Sequence, residues 1–69
     1  MEDTRDTVRK WLNLRDIIRA EEVELDQLVA RFSAGEVSVE AVRAAHQNLL
    51  AQRELAETVM QRLLNAPRN

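Results

Sequence analysis

Cysteine is absent from the chain, and histidine, glycine and proline occur once each. The first absence excludes disulfides and a cysteine-based zinc knuckle. One histidine cannot build a histidine-rich metal site, and one glycine cannot make a phosphate-cradling loop. No glutamate stands three residues before His46, so the Glu-x-x-His element of a di-iron bundle is missing. No hydroxyl stands at helical spacing from the single histidine that would serve as its activating base. Nothing approaches the roughly 20 apolar residues that a bilayer span requires. Met1-Glu2-Asp3-Thr4 is acidic with no apolar core behind it, unlike a signal peptide. These absences predict a non-catalytic, soluble, cytoplasmic chain with no cofactor and no membrane association.

What remains is apolar and charged. Hydrophobic residues make up 45% of the 69 positions and charged ones 32%, too apolar a mixture for a disordered tail. One domain spanning 1–69 is the expectation, and a core of this size rarely supplies more than about 3–5 kcal/mol of stability. Without disulfide or metal, further apolar surface must be buried by self-association or on a partner.

The segment 32–38, with Gly35 inside it, is the one interruption of helical periodicity. It predicts an all-α fold, a two-helix antiparallel hairpin with a first helix over about 4–34, a turn at 35–38 and a second helix over about 39–65. Asp3 suits the first N-cap, with Asp6 three residues on. Trp11, Leu14, Ile18, Leu25, Leu28 and Phe32 recur at spacings of three and four, and Glu21 fills the gap between Ile18 and Leu25. This is a heptad seam with one polar tooth. Val8, Leu12, Ile17, Val23 and Val29 lie off it, a second apolar set that a single facing helix cannot cover. Gly35 suits a left-handed helix stop. Ser38 suits the second N-cap, Glu40 the first turn, and Val37 with Val42 a hydrophobic staple. Val42, Ala45, Leu49, Ala56, Val59 and Leu63 form the second seam, broken by Gln52. His46, Leu50, Leu55, Met60 and Leu64 flank it, with His46 expected as a half-buried packing residue; the alternative sets it with Glu21 and Glu24 around a divalent cation.

Mirroring the chain about Gly35 sets Trp11 near Val59, Leu25 near Ala45, Glu21 near Leu49 and Ile18 near Gln52. The polar teeth then suggest a layer in which Glu21 bonds Gln52 or Arg53, fixing register at a cost in stability. The alternative leaves Glu21 at the seam's edge in water. Charge is uneven along the chain. Residues 21–40 hold six acidic side chains and one basic, whereas residues 1–20 hold five basic and four acidic, and 41–69 four basic and two acidic. A hairpin then has an acidic turn end and a mildly basic open end. An antiparallel pair of hairpins sets unlike ends together, which favours a homodimeric four-helix bundle.

Val8, Trp11, Leu12, Arg15 and Arg19 form the candidate partner-binding surface, since tryptophan beside arginine is the composition of an interface hot spot. The competing reading buries Trp11 against Val59 and Leu63. Arg5, Arg9, Lys10, Arg15 and Arg19 also suggest a basic face for RNA or DNA. Against this stand Asp3, Asp6 and Asp16 among the cations and a net charge of −2.

The stretch from Glu24 to Glu40, Glu24-Leu25-Asp26-Gln27-Leu28-Val29-Ala30-Arg31-Phe32-Ser33-Ala34-Gly35-Glu36-Val37-Ser38-Val39-Glu40, resembles the small subunit of exonuclease VII. It departs from that pattern at Glu21, Glu22 and His46-Gln47-Asn48-Leu49. In size and plan the chain also looks like the co-chaperones of type III secretion needle subunits and like phage-encoded anti-activator hairpins. Each resemblance implies a non-catalytic protein-binding hairpin: an inhibitor, sequestering factor or chaperone, or the accessory subunit of an enzyme.

Overall fold

In the computed structural model, which describes residues 4–65, two helices run antiparallel: α1 (Thr4–Ser33) and α2 (Val39–Leu64). Each stops or starts where its own residues dictate. Gly35 adopts a φ of 77°. Its N–H donates to the Phe32 carbonyl at 2.9 Å, and the Glu36 N–H donates to that of Arg31 at 2.8 Å. These paired bonds are the Schellman stop, which a left-handed glycine makes possible. The contact that closes such a motif is commonly hydrophobic; here Arg31 Nε and Glu36 Oε2 approach to 4.0 Å instead. A Cβ built on Gly35 meets nothing within 4 Å, so substitution costs backbone strain alone. Gly35→Ala is therefore expected to destabilise by about 1–2 kcal/mol. In a thermal melt that is a fall in Tm of roughly 4–8 °C per kcal/mol. An unchanged Tm would mean that the cap contributes nothing to stopping α1.

α2 begins at Ser38, whose extended backbone (φ −81°, ψ 159°) lets its Oγ accept the Ala41 N–H at 3.4 Å. Val37 and Val42, on either side of the cap, are both half-buried as a staple requires. Glu40 lies in the first turn and pairs with Arg43 at 3.0 Å. Asn65 closes the far end, its N–H donating to the Gln61 carbonyl at 3.0 Å. The N-cap expected at Asp3 and the terminal Pro67 lie outside the described residues; Asp6 is in the first turn of α1.

The helices pack along the expected seams. On α1, Trp11, Leu14, Ile18, Glu21, Leu25 and Leu28 are half-buried, and Thr7 extends the seam one step earlier. On α2, Leu49 and Val59 are buried, at 2% and 5% exposure, between half-buried Val42, Ala45, Gln52, Ala56 and Leu63. Two expectations need correction. Phe32 remains 44% exposed, because it sits in the last turn of α1 at a level where α2 has only just begun. His46 is exposed and not a half-buried packing residue, since it lies beside the seam on a flank that the first helix does not reach.

The register also differs from a mirror about Gly35. Leu14 and Val59 line one groove, and Glu22 reaches Arg53 at 3.7 Å, more than a turn beyond Asn48 where that mirror would send it. The link runs from Ala34 to Ser38, so its middle is Glu36, and each α1 residue meets a later α2 residue than a glycine-centred fold supposes.

A rod of 56 × 15 × 14 Å results, with a radius of gyration of 15.9 Å. A compact chain of this length would have about 11 Å. The accessible surface is 5549 Å², whereas a compact monomer of this mass exposes about 4500 Å². The excess, on the order of 1000 Å², is what two helices leave uncovered.

Candidate protein-docking surfaces

Val8, Leu12, Arg15 and Arg19 follow one another at spacings of three and four along α1, so they form a single stripe with Trp11 at its inner edge. Val8 and Leu12 are each 38% exposed. Trp11 is half-buried, so it belongs both to the seam and to the surface. The Arg15 guanidinium lies over its ring at 5.7 Å from the centroid. That cation–π contact, worth about 0.5–1 kcal/mol at a partly exposed site, ties the two side chains together on the surface. Arg15 Nη2 also lies 3.7 Å from Asp16 Oδ1, while its Nε is buried with no hydrogen-bond partner among the described residues. Arg19 is exposed one turn further on.

At the same open end α2 adds Met60, which is half-buried, and Leu64, which is 70% exposed. Sequence reasoning placed both beside the seam but did not join them to the Trp11 surface. The signal was the antiparallel plan itself, which returns the end of α2 to the start of α1.

A second apolar surface lies along the other flank. Leu14 and Ile17 of α1 face Leu55 and Val59 of α2 across an open groove of about 350 Å³, with Lys10 and Arg62 at one end. Ile17 and Leu55 are the exposed members of this set. Seam residues are thus reachable from outside on this side.

The polar layer expected between the seams does not form. Arg53 pairs with Glu22, in solvent on the flank, and Glu21 reaches neither Gln52 nor Arg53. Glu21 is half-buried and its Oε2 is buried without a hydrogen-bond partner among the described residues. It is neither a bonded layer nor a solvated edge. The cause is direction: Glu22 projects to the flank where the long Arg53 side chain also lies, whereas Glu21 projects into the seam.

Among the described residues no three acidic, histidine or cysteine side chains group so as to hold a metal ion, and no helix is long and apolar enough to cross a membrane. Arg5, Arg9, Lys10 and Arg19 are exposed, with Asp6 and Asp16 between them. No protein family, curated protein or solved structure matches the chain.

Proposed function

We propose that this chain is a non-catalytic protein-binding hairpin, dimeric in its working form, that inhibits, sequesters or chaperones another protein. The observation that supports it most directly is the open end, where Val8 and Leu12 are exposed beside an arginine-stacked Trp11. A hairpin this thin has no third layer to cover them. Flat aromatic, aliphatic stripe and flanking guanidinium are the ingredients of a desolvated anchor with an orienting rim. The matching partner surface is an apolar helix or groove edged by carboxylates, which Arg15 and Arg19 would face.

The test is capture from the source cells, followed by reconstitution of the complex from the two purified proteins. A defined stoichiometry with the native chain is expected, and Trp11→Ala should weaken it at least tenfold, the scale of an anchor residue. Because Trp11 also packs in the seam, Leu12→Ala is the companion variant; Leu12 lies off the seam and alanine keeps helix propensity, so binding should weaken several-fold with helicity retained. A reconstituted complex indifferent to both variants would place the partner elsewhere and overturn this assignment.

A further inference from the structure

The two apolar flanks have different characters, and the difference assigns them different occupants. The flank carrying the Trp11 stripe is charged through its middle: Arg15, Arg19, the Glu22–Arg53 pair and exposed His46 interrupt it. The groove flank is not. Along α1, Ile17 is followed at helical spacing by Ala20; along α2, Leu55 is preceded by Ala51 and Ala44, all exposed. Side chains this short let another helix approach closely, and the open groove between Leu14 and Val59 gives its side chains a place to enter. One side of a rod 56 Å long and 15 Å wide presents about 800 Å², the share per partner of a stable interface.

We infer that a second copy of this chain occupies the groove flank, antiparallel, with a two-fold axis crossing the rod at Ile17 and Leu55. The inference refines the dimeric reading above and rests on it. Its first support is self-complementarity of charge. Antiparallel hairpins stacked on this face bring α1 against α1 and α2 against α2, so a residue seven before the axis meets the partner's residue seven after it. On α1 those residues are Lys10 and Glu24, an opposite-charge pair formed twice. On α2 they are Asn48 and Arg62, which are hydrogen-bond compatible. The axis itself carries Ile17 on Ile17 and Leu55 on Leu55, apolar against apolar. A parallel pair would instead bring α1 over α2 and stack Lys10 near Arg62, like on like. The second support is extent: Ile17 lies close to the middle of α1, so the two rods overlap over nearly their whole length. The arrangement leaves the Trp11 stripes free, on the two outer faces of the bundle.

The absence of cysteine makes the test clean. Ile17→Cys should cross-link to a covalent dimer under mild oxidation, because residues on the axis fall within disulfide reach. Leu50→Cys, exposed on the other flank, should not. Mixing Lys10→Cys with Glu24→Cys should give the mixed dimer in preference to either self-dimer. Charge reversal supplies a second measurement at exposed positions, with helicity checked by circular dichroism. Lys10→Glu and Glu24→Lys should each raise the dimer dissociation constant about fivefold or more, and the double variant should restore it to within about twofold. A dimer that cross-links through Leu50→Cys and not Ile17→Cys overturns the choice of face while leaving a dimer in place. Cross-linking of Lys10→Cys with Arg62→Cys overturns the orientation. A monomer by sedimentation at tens of micromolar overturns this inference and the dimeric reading together, and leaves the Trp11 surface to be judged by its own variants.

Discussion

Leu49→Ala is expected to unfold most of the protein at room temperature, the largest effect of any single truncation in the chain. Leu49 is the most buried side chain among the described residues, at 2% exposure. Removing a buried leucine to alanine costs about 2–5 kcal/mol, since the lost transfer energy is joined by the cost of the cavity. A core of this size supplies only about 3–5 kcal/mol in total. The loss therefore equals or nearly equals the whole. Circular dichroism should report the collapse of helicity and of the cooperative melt. The neighbouring Leu50→Ala is the control: its side chain is exposed and alanine is the better helix former, so stability should move by less than about 0.5 kcal/mol. A Leu49→Ala variant that melts within a few degrees of the native protein would show that contacts outside this seam hold the fold.

That sensitivity explains which parts of the architecture were legible in the sequence. The seams were, because a spacing of three and four with one glycine between two runs leaves few ways to fold. Every apolar tooth from Trp11 to Leu28 and from Val42 to Leu63 is at least half-buried. The stop at Gly35 and the cap at Ser38 were legible for a related reason: both are local, and a few residues determine them. Register was not. It depends on how much chain the link consumes, and the link belongs to neither helix, so a mirror about the glycine placed Glu22 a turn short of Arg53. The fate of Phe32 has a separate cause. Its spacing assigns it to the seam, but burial needs an opposing helix at its level, and α2 is only beginning there.

The candidate surfaces were partly legible. Val8, Leu12, Arg15 and Arg19 were recognisable as a stripe because helical spacing alone places them on one side. That Trp11 is shared between seam and surface was not, since helical spacing gives a side chain's direction but not how much of it the facing helix covers. The groove between Ile17 and Leu55 was invisible, because it arises from two helices whose relative level was unknown. Polar partners were the least legible of all. Helical spacing shows which residues share a face, but two neighbours such as Glu21 and Glu22 project about 100° apart. That rotation sends one carboxylate into the seam and the other to Arg53.

Glu21→Leu is the second substitution with a large expected effect, and its sign is opposite. The glutamate occupies a seam position between Ile18 and Leu25, half-buried, with Oε2 sealed from solvent and from any hydrogen-bond donor among the described residues. A buried acceptor left without a partner costs about 1–3 kcal/mol. Leucine removes that cost and adds apolar contact at the level of the α2 seam. A gain of about 1–2 kcal/mol should appear as a rise in Tm of roughly 5–15 °C for a chain of this length. The substitution should also loosen assembly. One polar tooth in an otherwise apolar seam penalises every register that would bury it more deeply, and a continuous seam loses that discrimination. Sedimentation across a concentration series should then show larger species that the native chain does not form. Glu21→Gln separates charge from shape: it keeps the side-chain length and should recover only part of the thermal gain. A marked fall in Tm on Glu21→Leu would mean that the carboxylate finds a donor in the assembled protein, supplied by the second copy. The polar tooth would then be a bonded layer formed between hairpins, and its loss would be felt as broken pairing at high dilution first.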